Sequence, residues 1–209
     1  MTYNGHFWAE KVLETVHTMG KQHTNAVLLS LGDAKSIKPY QRYPDSAFYF
    51  SNDLWRAYYH SHGSTGDEAH EHGHFHFFAR QTENDDWSHV VAIGMNNLGQ
   101  PISLFTTNLW VTDGQWLDTQ VAVRVFEQLE TSADEDLPLC WFKYMLLLYR
   151  EEIFELLFQR DQEFANLFPH DRDQGFLDRS VYYLSMMDID LNSQLFHMLA
   201  MSSDNIAAS

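Results

Sequence analysis

Tyr58-Tyr59-His60-Ser61-His62 is followed, after Gly63-Ser64-Thr65-Gly66-Asp67-Glu68-Ala69, by His70-Glu71-His72-Gly73-His74-Phe75-His76-Phe77. Six of the chain's 12 histidines fall in these two runs. Side chains alternate across a strand, so His72, His74 and His76 share one face, and so do His60 and His62. The connection is short enough to make the two strands antiparallel neighbours. Placing 62 opposite 70 or opposite 72 sets even positions against even positions. In either register His60, His62, His72, His74 and His76 lie on a common face. Opposed Cβ atoms are then ~4.5–5.5 Å apart and i, i+2 neighbours about 7 Å apart. Imidazoles at those separations can converge on one ion at metal–nitrogen distances near ~2 Å. A register of odd parity would split the set across the sheet.

Around this pair of strands, residues 46–112 read as β structure. Ala47-Phe48-Tyr49-Phe50, a Ser-Asn-Asp turn and Trp55 to His62 form an aromatic hairpin. His72 to Arg80, His89 to Met95 and Ile102 to Thr107 give the third, fourth and fifth strands. Upstream, Trp8, Val12, Leu13, Val16 and Met19 recur at helical spacing with Gly20 as the stop, so residues 5–20 are expected to be helical. Asn25 to Leu31 reads as a short helix or strand, and Pro39, Pro44 and Asp45 mark turns. Downstream, residues 116–201 read as helical. One helix spans about 118–131, and a long one starts at Pro138 and stops at Pro169. Two shorter ones follow over about 174–187 and 190–201, with 202–209 as a frayed tail. The expected fold is α+β: a single domain over 1–209, in which a small antiparallel meander of about five strands packs against an N-terminal helix and a C-terminal helical region.

The 209 residues include 13 basic and 29 acidic side chains, a formal charge of −16, with hydrophobic residues at 44%. Such a surface repels polyanions, which argues against nucleic acid and anionic membrane as partners. One cysteine, Cys140, excludes an internal disulfide and a Cys-rich zinc motif. Its placement beside Trp141 and Phe142 reads as a buried structural thiol. The first residues show no basic and apolar secretory pattern, and the apolar run 137–149 is interrupted by Lys143. The cytoplasm is the expected compartment.

Tyr58-Tyr59-His60-Ser61-His62, Glu71-His72-Gly73-His74-Phe75-His76 and Leu104-Phe105-Thr106-Thr107-Asn108-Leu109-Trp110-Val111-Thr112 together resemble an uncharacterised bacterial family known as a domain of unknown function. The resemblance covers about residues 40–115 distinctly and the helical remainder loosely. It implies no activity and assigns no functional residue.

The chemistry therefore rests on the residues themselves. A histidine-only donor set suits iron, zinc or copper and disfavours calcium and magnesium. Glu71 is of odd parity and points away unless the strand begins after it, while Asp67 and Glu68 lie in the connection and could reach the site. Two functional classes stand open. One is a metal-dependent oxygenase or hydrolase acting on a small molecule; the other is a non-catalytic metal-binding, sensor or storage protein. A structural interaction module is a third reading. Weaker signals are read structurally. Glu14-Thr15-Val16-His17 is a lone E-x-x-H on a solvated helix face, where a di-iron bundle would need a second copy. His170-Asp171 is a loop or helix-cap feature, and Asn108 and Trp110 either line a cavity or close the sheet edge. Oligomeric state is not encoded in any of these patterns.

Overall fold

The structure, a computed structural model, describes residues 4–62 and 71–206, with side chains as far as residue 200. Six strands form one antiparallel sheet in sequence order: β1 (Tyr43–Phe50), β2 (Trp55–His60), β3 (Gly73–Ala79), β4 (Ser88–Met95), β5 (Pro101–Thr107) and β6 (Tyr183–Asp188). The helices are α1 (Gly5–Lys21), α2 (Ala26–Leu31), α3 (Leu109–Thr112), α4 (Thr119–Thr131), α5 (Leu139–Leu148), α6 (Arg150–Leu167), α7 (Arg172–Leu177) and α8 (Leu191–Ile206). The fold is α+β.

In β2 and β3, His60 stands opposite His74 and Tyr58 opposite His76, the register that continues to 62 opposite 72. The two faces of the sheet separate by chemistry. Trp55, Ala57 and Tyr59 of β2, Phe75 and Phe77 of β3, Ile93 of β4 and Leu104 of β5 are all buried in the main apolar core. Phe142 of α5 meets Phe75 and Phe77 at ring distances of 5.1 and 5.4 Å, and Phe126 of α4 meets Trp55 edge-on at 5.2 Å. The Trp55 indole N–H donates to the Val125 carbonyl at 3.3 Å, so burial leaves no donor of that ring unpaired. Every residue of α5 from Cys140 to Leu148 is buried, because the helix runs through the core. Lys143 survives there because its ammonium donates to the Ser132 carbonyl at 2.6 Å and pairs with Asp134 at 3.2 Å. Among the described residues, no helix is long and apolar enough to cross a membrane.

Five expectations require correction. The sheet has a sixth strand: residues 183–188, expected to be helical, pair with β5, and Ser185 Oγ bonds Thr106 Oγ1 and the Leu156 carbonyl at 2.7 Å each. Paired backbone and buried hydroxyls outweigh the helical propensity of Leu184, Met186 and Met187. The long helix from Pro138 is two, α5 and α6, divided at Tyr149. β1 starts at Tyr43 and includes Pro44, which an edge strand tolerates because one row of its N–H groups faces no partner. Finally, the β3 strand begins at Gly73 rather than His72, and Gly20 lies inside the last turn of α1, which ends at Lys21. Asn25 to Leu31 resolves as α2, capped by Asn25 accepting from the Leu28 N–H.

Gly73 is required where β3 begins. A Cβ there would lie 2.5 Å from both the His60 carbonyl oxygen and the Tyr59 hydroxyl, one of them rigid backbone. Gly73→Ala should cost about 1–3 kcal/mol of stability in urea unfolding. Gly20→Ala is the matched control, since nothing lies within 4 Å of its added methyl. It should be neutral or stabilising by up to about 1 kcal/mol, and equal losses at both sites would refute the crowding account.

Candidate metal centre

Three imidazoles converge on the sheet face opposite the apolar core. His60 Nε2 lies 2.7 Å from His74 Nε2, and His74 Nε2 lies 3.1 Å from His76 Nε2. One donor nitrogen from each of the three lies within 4.8 Å of the other two. Nitrogens bound at ~2.0–2.1 Å to a single ion are separated by roughly 2.8–3.4 Å for bond angles between right-angled and tetrahedral. The observed spacings are close to that range. His74 and His76 are wholly buried, while His60 is partly exposed at the edge of the group.

The far side of one of these rings fixes its tautomer. His74 Nδ1 lies 2.6 Å from Glu71 Oε1. A carboxylate only accepts, so the proton sits on Nδ1 and the Nε2 lone pair points into the cluster. His76 Nδ1 lies 3.0 Å from His89 Nε2, a contact in which either ring can donate; with His76 as the donor its Nε2 is bare as well. Without a cation, the single lone pair of His74 Nε2 would have to accept from both neighbours at once, which it does poorly. A metal ion at the centre satisfies all three lone pairs. Carboxylate and imidazole partners on the outer ring nitrogens are the usual means of orienting metal-ligating histidines.

Glu71 reaches His74 for two reasons, both visible in the strand. Because β3 begins at Gly73, Glu71 is free of strand parity. Opposite His74, Gly94 leaves the space that the carboxylate uses: a Cβ there would lie 2.6 Å from Glu71 Oε2 and would collide with Ser103 Oγ. The same early break turns His72 away. Its Nδ1 lies 2.6 Å from the Tyr59 hydroxyl, whose ring is in the apolar core, so the shared face expected for His72 is not formed. His62 follows the end of β2, with its ring 4.8 Å from that of His60 and 5.0 Å from that of His74. The converging nitrogens are those of His60, His74 and His76. His70, Asp67 and Glu68 lie outside the described residues.

His89 had no sequence signal of its own, because its odd number places it on the opposite face. A register shift between Phe77 and Phe78 reverses the parity and brings His89 opposite Phe78. Asn108 and Trp110 prove to be ties to the 175–181 segment: Asn108 donates to the Gly175 and Asp178 carbonyls, and the Trp110 indole to Val181. Asp171 caps α7 and His17 is exposed on α1. The half-open pocket of about 510 Å³ lined by Met19, Asn25, Gln100, Trp141 and Asp190 contains no member of the histidine group.

Burial and the neighbouring charged groups keep His60, His76 and His89 neutral. Desolvation first, then the charges of His74, His62 and Arg42, push His60 down to about 3. Desolvation, then Arg160 and His74, push His89 down to about 3, and His76 is held well below its ordinary range by the same kind of burial. Neutral imidazole is the ligating form. For each such group the unfolded chain takes up its proton first. The metal-free fold should therefore be fully stable above about pH 6.5 and lose stability as pH falls from there toward 3. Urea unfolding of chelator-treated protein at pH 7.5, 6 and 5 should show this loss. His89→Gln should shallow the dependence by about one proton, or about 1.4 kcal/mol per pH unit at most. An unchanged slope would mean that His89 is not held neutral.

The family model for a domain of unknown function, DUF6969, matches residues 6–189. No curated protein and no solved structure matches the chain. The matched span runs from α1 through β6 and includes Glu71, His89 and all three converging histidines. This chain belongs to the family described as domain of unknown function DUF6969.

Proposed function

We propose that the protein is a metal-dependent enzyme acting on a small molecule, with one transition-metal ion held by His60, His74 and His76. The observation that carries this reading is the convergence of three imidazole Nε2 donors, two of which, those of His74 and His76, have their outer nitrogens engaged by Glu71 and His89. Imidazole donors of this kind suit iron, zinc or copper. Three protein nitrogens leave at least one coordination position for water, dioxygen or substrate, and the partial exposure of His60 puts that position on the accessible side. A closed four-ligand site would favour the storage, sensor or structural alternatives. His62, with its ring beside those of His60 and His74, is the residue that would close it.

Elemental analysis of protein purified without an affinity tag should find near-stoichiometric transition metal. His74→Ala should abolish most of it while leaving the circular dichroism of the metal-free fold recognisable. His17→Ala and His72→Ala should retain it, because one lies on α1 and the other is paired with Tyr59. Glu71→Gln should weaken metal affinity about 10–100-fold, the usual scale for losing an orienting partner. Equal losses from His17→Ala and His74→Ala would place the metal elsewhere.

A further inference from the structure

Around the three histidines stands a group of aromatic rings that the metal alone does not require, Tyr58 and Phe105 buried and Tyr40 and Tyr183 exposed. Tyr58 lies on the histidine face with its ring 5.4 Å from His76 and 6.0 Å from His60. Tyr40, exposed, meets His62 edge-on at 5.3 Å. From the other end of the sheet, Phe105 meets His74 at 5.0 Å and Tyr183 meets Phe105 at 5.1 Å, with Tyr182 packed against Tyr183 at 4.6 Å. Glu71, Tyr58 and Tyr40 each act electrostatically on Tyr182, which brings a third segment into the neighbourhood of the cluster.

One cation belongs to this group. The Arg42 guanidinium lies 4.6 Å from the Tyr58 ring centre and is exposed. Among the described residues it has neither an ion pair nor a hydrogen bond to a side chain, although the chain carries 29 acidic residues. Arg56, stacked between Phe78 at 4.6 Å and Trp87 at 4.7 Å, adds a second positive charge along the same face. Asp113 acts on Tyr58 from the opposite direction, and Glu71 is engaged by His74. Among the described residues named here, a divalent ion among the histidines would make the balance of charge positive in a molecule whose formal charge is −16. A guanidinium stacked on an aromatic ring keeps its N–H edges free for a carboxylate.

We propose that this face binds a small planar organic carboxylate, its carboxylate group on Arg42 and its body against the tyrosine rings, with an edge toward the metal. This rests on the metal reading above and specifies the substrate class for that site.

The test uses the full chain loaded with cobalt(II), whose visible absorption reports changes around the ion, and three probes: benzoate, benzamide and acetate. Cobalt should load stoichiometrically in wild type and in Arg42→Gln alike. Benzoate should shift the spectrum saturably. Benzamide, of the same shape without the charge, should bind at least about 10-fold more weakly, and acetate, with the charge but no ring, should be weakened about 5-fold or more. Arg42→Gln should lose about 10-fold in benzoate affinity, and Arg42→Lys should recover part of it. Benzamide binding as well as benzoate in the wild type would overturn the proposal without recourse to any variant. So would a cobalt-loaded Arg42→Gln protein that binds benzoate unchanged. Cobalt uptake with no benzoate response would overturn the substrate class and leave the metal site standing, whereas absence of cobalt uptake by wild type would remove both.

Discussion

The pairing of His60 with His74 across β2 and β3 is the constraint on which the rest of this structure depends. It fixes even positions against even positions, so one choice of register sorts two chemically incompatible sets of side chains. Tyr59, Phe75 and Phe77 go to the helices, and His60, His74 and His76 go to the other face. A slip of one residue would bury the histidines against Phe142 and expose three large aromatic rings to water. The register is thus held from the apolar side: burying a phenylalanine is worth about 1.5–3 kcal/mol, and the imidazoles are carried along. The functional face does not need to stabilise its own geometry.

That division explains why the face can contain features that weaken a fold. His76 and His89 are fully buried, and Ser103 Oγ is buried with no hydrogen-bond partner among the described residues. Each costs stability unless something satisfies it, on the order of 1–3 kcal/mol for an unpaired buried polar group. The apolar core, running from Trp8 through Trp55 and Phe75 to Leu157, supplies the surplus. Glycine is used in the same way. Gly94 brings no side chain to the sheet, and the space this leaves is where the Glu71 carboxylate fits.

Parity made much of this legible in the sequence. The alternation from Tyr58 to His62 and from His72 to Phe77, joined by a short connection, was sufficient for the strand pairing, its register and three of the five histidines as a converging group. What parity could not give were the places where strands stop obeying it. β3 starting at Gly73 frees both Glu71 and His72, sending the first to His74 and the second to Tyr59. The irregularity between Phe77 and Phe78 moves His89 from the core face to His76. Strand ends and bulges are decided by tertiary packing and carry little local signal. β6 was hidden for the related reason that Tyr183-Leu184-Ser185-Met186-Met187-Asp188 has no alternation, and only the free edge of β5 makes it a strand.

The acidic composition and the chemistry of this face then answer to each other. A surface with 29 carboxylates against 13 basic groups repels anions at long range, yet counterions screen that field within about 10 Å at ordinary salt. What an approaching anion meets at contact is set by the groups it can touch, and around His60 those are Arg42, the tyrosine rings and any cation held by the imidazoles. Glu71 is engaged by His74, so it is part of the scaffold that orients that imidazole rather than a free competitor for an anion. Asp113 remains as the opposing charge on the Tyr58 side. A globally acidic chain can therefore present one short-range positive spot, because the fold gathers together the residues that make it, drawn from positions 40 to 183 of the sequence.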